Sequence, residues 1–303
     1  MHTGRGGPEG MESMRSDTLA AQWLRIAPAL ALAASLAGCT SFDIGDLNPF
    51  SGEKYKMVVE PIVPANTAYD QGLAKLANGD PGEAAKKFTD LGKKYPGSDW
   101  ARKGLLKTTY AQYTNGDFDD AVGSAGRYVK EYPKTAEAPY ALYLEAQSHY
   151  AQIMDIARDQ DHAQKALELY KQLVQTYPKS EYVDDSKAKI QVAIDQLGGK
   201  EMSVGRFYEN RKNYAAAINR FRNVLTYYQT TRHSEEALYR LTECYMALGV
   251  TDEAETAAAI LGHNFPDSEW YKNAYSLLKS GGLSPQEHQD SWLSKLYKVV
   301  VPT

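Results

Sequence analysis

One unit recurs five times between residues 84 and 274, and its period leaves few folds open. Each copy carries an alanine: Ala84, Ala121, Ala166, Ala217 and Ala254. Eleven residues later stands an aromatic: Tyr95, Tyr132, Tyr177, Tyr228 and Phe265. Proline follows it in four copies, as Pro96, Pro133, Pro178 and Pro266, with Gln229 the exception. A hydroxyl comes fourteen residues after the alanine, at Ser98, Thr135, Ser180, Thr231 and Ser268. A small residue comes at twenty: Gly104, Ala141, Ser186, Ala237 and Ala274.

This order describes a pair of helices. Proline lacks an N–H and pushes the residue before it out of the helical region, so a helix ends there. The aromatic closes that helix against its neighbour. Ser or Thr two residues beyond the proline is expected to cap the next helix. The small residue lets two backbones approach. Polar turns divide each unit, as in Asn78-Gly79-Asp80-Pro81, Asn115-Gly116-Asp117 and Arg211-Lys212-Asn213. Pro81 suits a first helical turn. Asp119-Asp120 and Asp184-Asp185 suit helix starts, where the macrodipole favours anions.

The spacings between alanines are 37, 45, 51 and 37 residues. The short ones resemble the tetratricopeptide family, whose unit is about 34 residues. The expected fold is therefore all-α, a tetratricopeptide-like α-solenoid of about five hairpins over residues 65–280. N-terminal repeats run over 65–180 and C-terminal repeats over 181–280. Eight extra residues fall around Ile153–Asp161 and are expected to lengthen a helix and its turn. Fourteen more fall between Glu181 and Arg211, about four helical turns. One long helix is possible there, while Gly198-Gly199 favours a break, each Gly costing about 1 kcal/mol in a helix interior. Residues 281–303 form a tail with Trp292, Leu293, Leu296, Tyr297, Val299 and Val300. It reads as a capping helix or a docking element.

The N-terminus points to a membrane. Arg15 and Arg25 precede the apolar run Ile26–Ala37, which is shorter than the roughly 20 residues of a transmembrane helix. It ends in Leu36-Ala37-Gly38-Cys39, which resembles the bacterial lipobox. Residues 1–38 are expected to be a lipoprotein signal peptide, with Met11 and Met14 as alternative starts. The resemblance implies acylation at Cys39, and several acyl chains together anchor stably. Thr40 in place of Asp implies outer-membrane sorting. Residues 39–64 hold Pro49, Pro61 and Pro64 and read as a tether of roughly 80 Å at full stretch.

Nothing in the sequence demands catalysis. There is no GxSxG, HExxH, P-loop, GxGxxG or CxxC. His149, His162, His233, His263 and His288 are scattered without metal-ligand spacing, and Cys244 reads as a small core residue. No enzyme activity, cofactor or metal is expected, apart from the covalent lipid. With a net charge of -4 and no basic block, a nucleic-acid partner is not expected.

Tyrosine is abundant, 22 against 7 Phe and 4 Trp, and its apolar body with a polar tip suits contact surfaces. A solenoid concentrates binding on a concave face lined by first helices. Tyr69, Tyr110 and Tyr113 fall on such helices and are candidate substrate-binding residues.

Lipobox, proline-rich tether and enlarged third and fourth units together resemble the BamD (ComL) family of outer-membrane assembly lipoproteins. Its more specific stretches are Asp159-Gln160-Asp161-His162-Ala163 and Met202-Ser203-Val204-Gly205-Arg206-Phe207-Tyr208 leading into Arg211. The resemblance covers about Cys39 to Lys279. It implies a periplasmic scaffold at the outer membrane that binds the periplasmic domains of the barrel-forming BamA subunit and other assembly lipoproteins. It also implies reception of unfolded outer-membrane proteins, with N-terminal repeats serving substrates and C-terminal ones the machinery. The loop around Tyr208 and Arg211 is the candidate partner contact. A pilotin-type lipoprotein assisting secretins is the alternative. So is a Tol-Pal-associated repeat protein, which would need no anchor.

Overall fold

The computed structural model describes residues 63–300, so the signal segment, Cys39 and nearly all of the tether lie outside the described residues. Within them are twelve α-helices and no strand. Five hairpins come first: α1 (Ala65–Ala77) with α2 (Pro81–Lys94), α3 (Asp99–Asn115) with α4 (Phe118–Glu131), α5 (Ala138–Ala151) with α6 (Asp161–Thr176), α7 (Val183–Asn210) with α8 (Tyr214–Tyr227), and α9 (His233–Leu248) with α10 (Thr251–Asn264). Then α11 (Glu269–Ser280) and α12 (Trp292–Val300) close the stack. No helix among the described residues is long and apolar enough to cross a membrane.

The repeat positions do what their chemistry requires. All five anchor alanines are fully buried on second helices. Each repeat aromatic is the residue at which a second helix stops, with φ between -126° and -136° and its N–H still bonded to the carbonyl four residues back. The small residues lie buried on the following first helix, where little space is left: a Cβ on Gly104 would stand 3.3 Å from the Phe88 carbonyl oxygen. Asp80 caps α2 through the Glu83 N–H, with Pro81 behind it. The α3 and α9 helices end on Gly116 and Gly249 at φ 86° and 72°, the left-handed conformation that glycine adopts without cost.

The hydroxyl positions behave less uniformly than expected. Ser98 and Ser268 are N-caps, accepting from the Ala101 and Trp270 amides. Thr135, Ser180 and Thr231 are not, because α5, α7 and α9 begin two or three residues later. A single turn intervenes, closed by Ala138 N–H to Thr135 O, Val183 N–H to Ser180 O and Ser234 N–H to Thr231 O. The Thr135 and Thr231 hydroxyls instead donate back to the carbonyls of Tyr132 and Tyr228.

The structure places both insertions. The eight extra residues lengthen the turn, where residues 152–160 form a loop, and α6, which at 16 residues is longer than the other second helices of 14. The loop backbone is held by its own side chains, with Gln160 donating to the Asp155 and Arg158 carbonyls. The fourteen extra residues make α7 one unbroken helix of 28 residues, with Gly198-Gly199 inside it. Close packing favours those glycines. A Cβ on Gly198 would stand 3.2 Å from Tyr228 Cβ, and one on Gly199 would stand 3.0 Å from Ile156 Cδ1. Ile156 belongs to the 152–160 loop, so the two insertions meet. Gln196 donates to the Met154 carbonyl at 2.8 Å, and Lys200 donates to the carbonyls of Ala157 and Arg158.

First helices pack on one another at α1–α3, α3–α5, α7–α9 and α9–α11, while among second helices only α10 meets the closing α12 comparably. The first helices therefore make the inner face, which in a solenoid is the concave one. The α12 helix covers the last hairpin: Leu293 is fully buried, and the Trp292 indole donates to the Tyr245 hydroxyl at 2.8 Å.

Candidate functional site on the inner face

Tyrosines pave the inner face where α3, α5 and the start of α7 meet. Tyr182 lies against Tyr143, stacked at 4.8 Å between centroids, and against Tyr140 at 5.4 Å. The Tyr143 hydroxyl donates to Asp185 at 2.6 Å and receives the Gln147 amide. Behind this layer Tyr170 fills the seam, fully buried, within 6.3 Å of Tyr143 and 6.2 Å of Tyr150. Burial pushes the Tyr140 phenol up to about 12, with Tyr110, Tyr182 and Tyr113 adding to the effect. Burial likewise raises Tyr143, helped by its bond to Asp185. At neutral pH these phenols keep their protons; Tyr143 donates its own to Asp185 in a hydrogen bond, and Tyr140 offers a hydroxyl donor beside flat apolar rings.

The three candidate substrate residues are placed differently. Tyr110 is exposed on α3, with the Lys107 ammonium 5.7 Å from its ring. Tyr113, half-buried, lies at the edge of the paved area, 5.8 Å from Phe118 and close enough to raise Tyr140 and Tyr143. Tyr69 sits between Phe88 and Trp100, each at 5.4 Å, in the seam of the first hairpin. Sequence reasoning missed Tyr140, Tyr143 and Tyr182. The spacing of Tyr140, Tyr143 and Gln147, three and four apart on one helix, is the signal that places them on one face.

The candidate partner contact is a helix end. Tyr208 occupies the last turn of α7, half-buried against the C-terminal core, and Arg211 is the first residue past the helix. The exposed side chain here is Phe207, with the Arg211 guanidinium 4.0 Å over its ring and Tyr208 edge-on at 5.6 Å. Phe207 and Arg211 are four apart on a helical turn, which is the clue the sequence held. The following turn needs Lys212 at φ 59°.

Between α7 and α9 the inner face is charged instead of aromatic. Arg206 places one nitrogen 3.0 and 2.9 Å from the two Glu236 oxygens. Arg240 reaches Glu236, Glu243 and Glu209 at 3.3, 2.9 and 3.5 Å. Burial pushes the Glu209 carboxyl up to about 7 against the pull of Arg240. Cys244 lies beneath it, 3.6 Å from Glu209, and burial raises its thiol far above the reactive range. Two histidines meet elsewhere: the Nδ1 atoms of His149 and His162 are 3.2 Å apart, a proximity the sequence did not reveal.

Stacked hairpins with an aromatic inner face define a tetratricopeptide-like α-solenoid, a class that presents an extended concave surface. Residues 61–261 match the model of the YfiO family, described as outer membrane lipoprotein. A Caulobacter vibrioides protein named outer membrane protein assembly factor BamD is 39% identical, over 85% of this chain and 81% of its own. BamD proteins of Rickettsia prowazekii and Neisseria meningitidis are 37% and 33% identical, over 72% and 68% of this chain and 87% and 81% of theirs. The chain belongs to the YfiO/BamD family of outer-membrane protein assembly factors.

Proposed function

We infer that this chain is a non-enzymatic scaffold, lipid-anchored through Cys39 to the periplasmic face of the outer membrane. It holds the periplasmic domains of a BamA-like barrel subunit and receives unfolded outer-membrane proteins on the tyrosine-paved inner face. The observation that carries this reading is the layer of Tyr140, Tyr143 and Tyr182 beside Tyr110 and Tyr113. Flat rings with protonated hydroxyls bind an extended, aromatic-rich chain without demanding one sequence. The exposed Phe207–Arg211 pair is the contact assigned to the machinery, since aromatic and Arg side chains dominate interface energetics.

Depletion of the protein is expected to lower several unrelated β-barrel proteins together. Loss of one secretin alone, with other barrels normal, would overturn the reading. Affinity purification from solubilised envelopes is expected to recover a barrel protein with periplasmic domains. Cys39→Ala is expected to release the chain from membranes washed free of partner proteins.

A further inference from the structure

The layer beneath the second helices changes character along the stack. Four residues beyond each small repeat position stand Thr108, Glu145, Ile190, Leu241 and Leu278. The last three are apolar, and Leu241 and Leu278 are fully buried. Thr108 and Glu145 make the same place polar in the first two joints. Thr108 is 4% exposed, yet its hydroxyl has no hydrogen-bond partner among the described residues. Glu145 makes no ion pair or side-chain hydrogen bond among them, and burial alone pushes its carboxyl up to about 7. A buried polar group without a partner is costly.

Thr108 lies in the floor of a groove of about 400 Å³ between α2 and α4, two helices that scarcely touch. Phe88 and Leu105 give that floor an apolar part. Gly92 on α2 and Gly123 on α4 line the groove, and a Cβ at either would meet nothing within 4 Å. Gly72 and Gly205 are different, since their missing Cβ atoms make room for Phe88 and Phe221. A glycine inside a helix weakens it relative to alanine. No contact among the described residues explains that weakening at Gly92 or Gly123, whereas a second chain seated in the groove would.

Charge selects the occupant. The cations on the rim are engaged within their own helices, Lys93 by Asp90 at 3.3 Å and Arg127 by Glu131 at 3.6 Å. Asp119 and Asp120, also on the rim, are exposed and have no ion pair among the described residues. Asp119 is close enough to α5 to act on His149, which stands one turn beyond Glu145. Between the groove and Glu145 comes Gly126 of α4, whose Cβ would stand 3.4 Å from a Glu145 oxygen. Three unpaired carboxylates thus attend α4.

We propose that the outer groove between α2 and α4 docks a basic segment of a partner protein. That segment lays an apolar side chain over Phe88 and Leu105, meets the Thr108 hydroxyl with a polar group, and gives Lys or Arg side chains to Asp119, Asp120 and Glu145 as it crosses α4. The groove belongs to the second helices, so it can be filled while the tyrosine layer on the first helices is occupied.

The test places a benzophenone photo-crosslinking residue at position 123 of the full chain in cells. One discrete protein adduct is expected, its cross-linked segment identified by mass spectrometry and carrying Lys or Arg. Combining Asp119→Asn, Asp120→Asn and Glu145→Gln is expected to lower the adduct yield at least about fivefold. Gly92→Leu, which fills the groove, is expected to do the same, with circular dichroism confirming that both variants fold. The benzophenone at Lys86, exposed outside the groove, is expected to give no such adduct. In the purified chain, Gly123→Ala is expected to raise Tm by about 2–4 °C. A lower Tm would mean that Gly123 serves the chain's own packing and would overturn the proposal. So would adducts to lipid, to a second copy of the chain or to an acidic segment, the absence of any adduct, or a yield that the variants leave unchanged.

Discussion

The N- and C-terminal hairpins follow one repeat but bury it in different ways. From Ala84 to Leu197 the buried side chains fall into five small clusters of three or four residues on neighbouring helices, four of them joined only through half-buried Val129, Tyr143, Leu169 and Ile190. From Met202 to Leu293 they form one continuous cluster spanning α7 to α12. The inner faces differ too. The first half presents stacked tyrosines, and the second presents arginines locked among glutamates. A core divided into small clusters opens locally at lower cost than a continuous one. On the function proposed above, the first half would adapt to varied extended clients and the second would serve as a rigid platform.

The largest effect that would break this comparison comes from the two buried phenylalanines. Phe221→Ala is expected to cost about 3–5 kcal/mol and Phe88→Ala a similar amount. Their reach should differ. Hydrogen exchange is expected to show Phe221→Ala loosening α7 to α11 together, and Phe88→Ala loosening only α1 to α3. Equal spread from both sites would mean that the five clusters act as one core.

Gly205→Ala comes next. Its added Cβ would enter the Phe221 ring, and loss of about 1–3 kcal/mol by chemical denaturation is expected. Gly72 faces Phe88 in the same way, so Gly72→Ala is the matched change in the first hairpin.

Tyr143→Phe sharpens the contrast at the surface. It removes the bonds to Asp185 and Gln147 and is expected to cost about 1 kcal/mol. Binding of an aromatic-rich extended peptide, read by fluorescence anisotropy, should weaken more than it does in Arg240→Lys. Equal loss in both variants would place the client surface elsewhere.

The smallest effect is a dependence on pH. Burial holds Glu145 in the first half and Glu209 in the second at about 7, above the ordinary 4.5. Between these values the unfolded chain has released protons that the folded chain still holds. Stability therefore falls as pH rises from 4.5 to about 7 and levels off above. Glu209→Gln is expected to flatten that slope for the second half, followed by exchange in α7 to α10, and to leave the first half unchanged.

Much of the site was legible only in outline. Tyr110 and Tyr113 could be named from their position on a first helix, and the structure leaves Tyr110 exposed and Tyr113 half-buried beside the tyrosine layer. Tyr69 sits on an equivalent helix, yet Phe88 and Trp100 close over it. Tyr182 lies in the turn before α7, and only the stacking of α5 on that turn brings it to Tyr143. Phe207 outranks Tyr208 at the helix end because the rotation of α7 turns one outward and the other toward the core.

The chain's own order of residues determined the hairpins: where each second helix stops, which alanine is buried, and where a small residue must admit a neighbour. These are local demands of backbone geometry and side-chain size, and they repeat with the period. The tertiary structure alone decided that α7 runs unbroken through Gly198-Gly199, that the 152–160 loop braces it, and that His149 faces His162. Those contacts join residues outside the repeat or up to 43 positions apart, and they depend on how a long helix is rotated and packed. A local pattern cannot express that rotation, because it is set by the sum of all the surfaces packed against the helix.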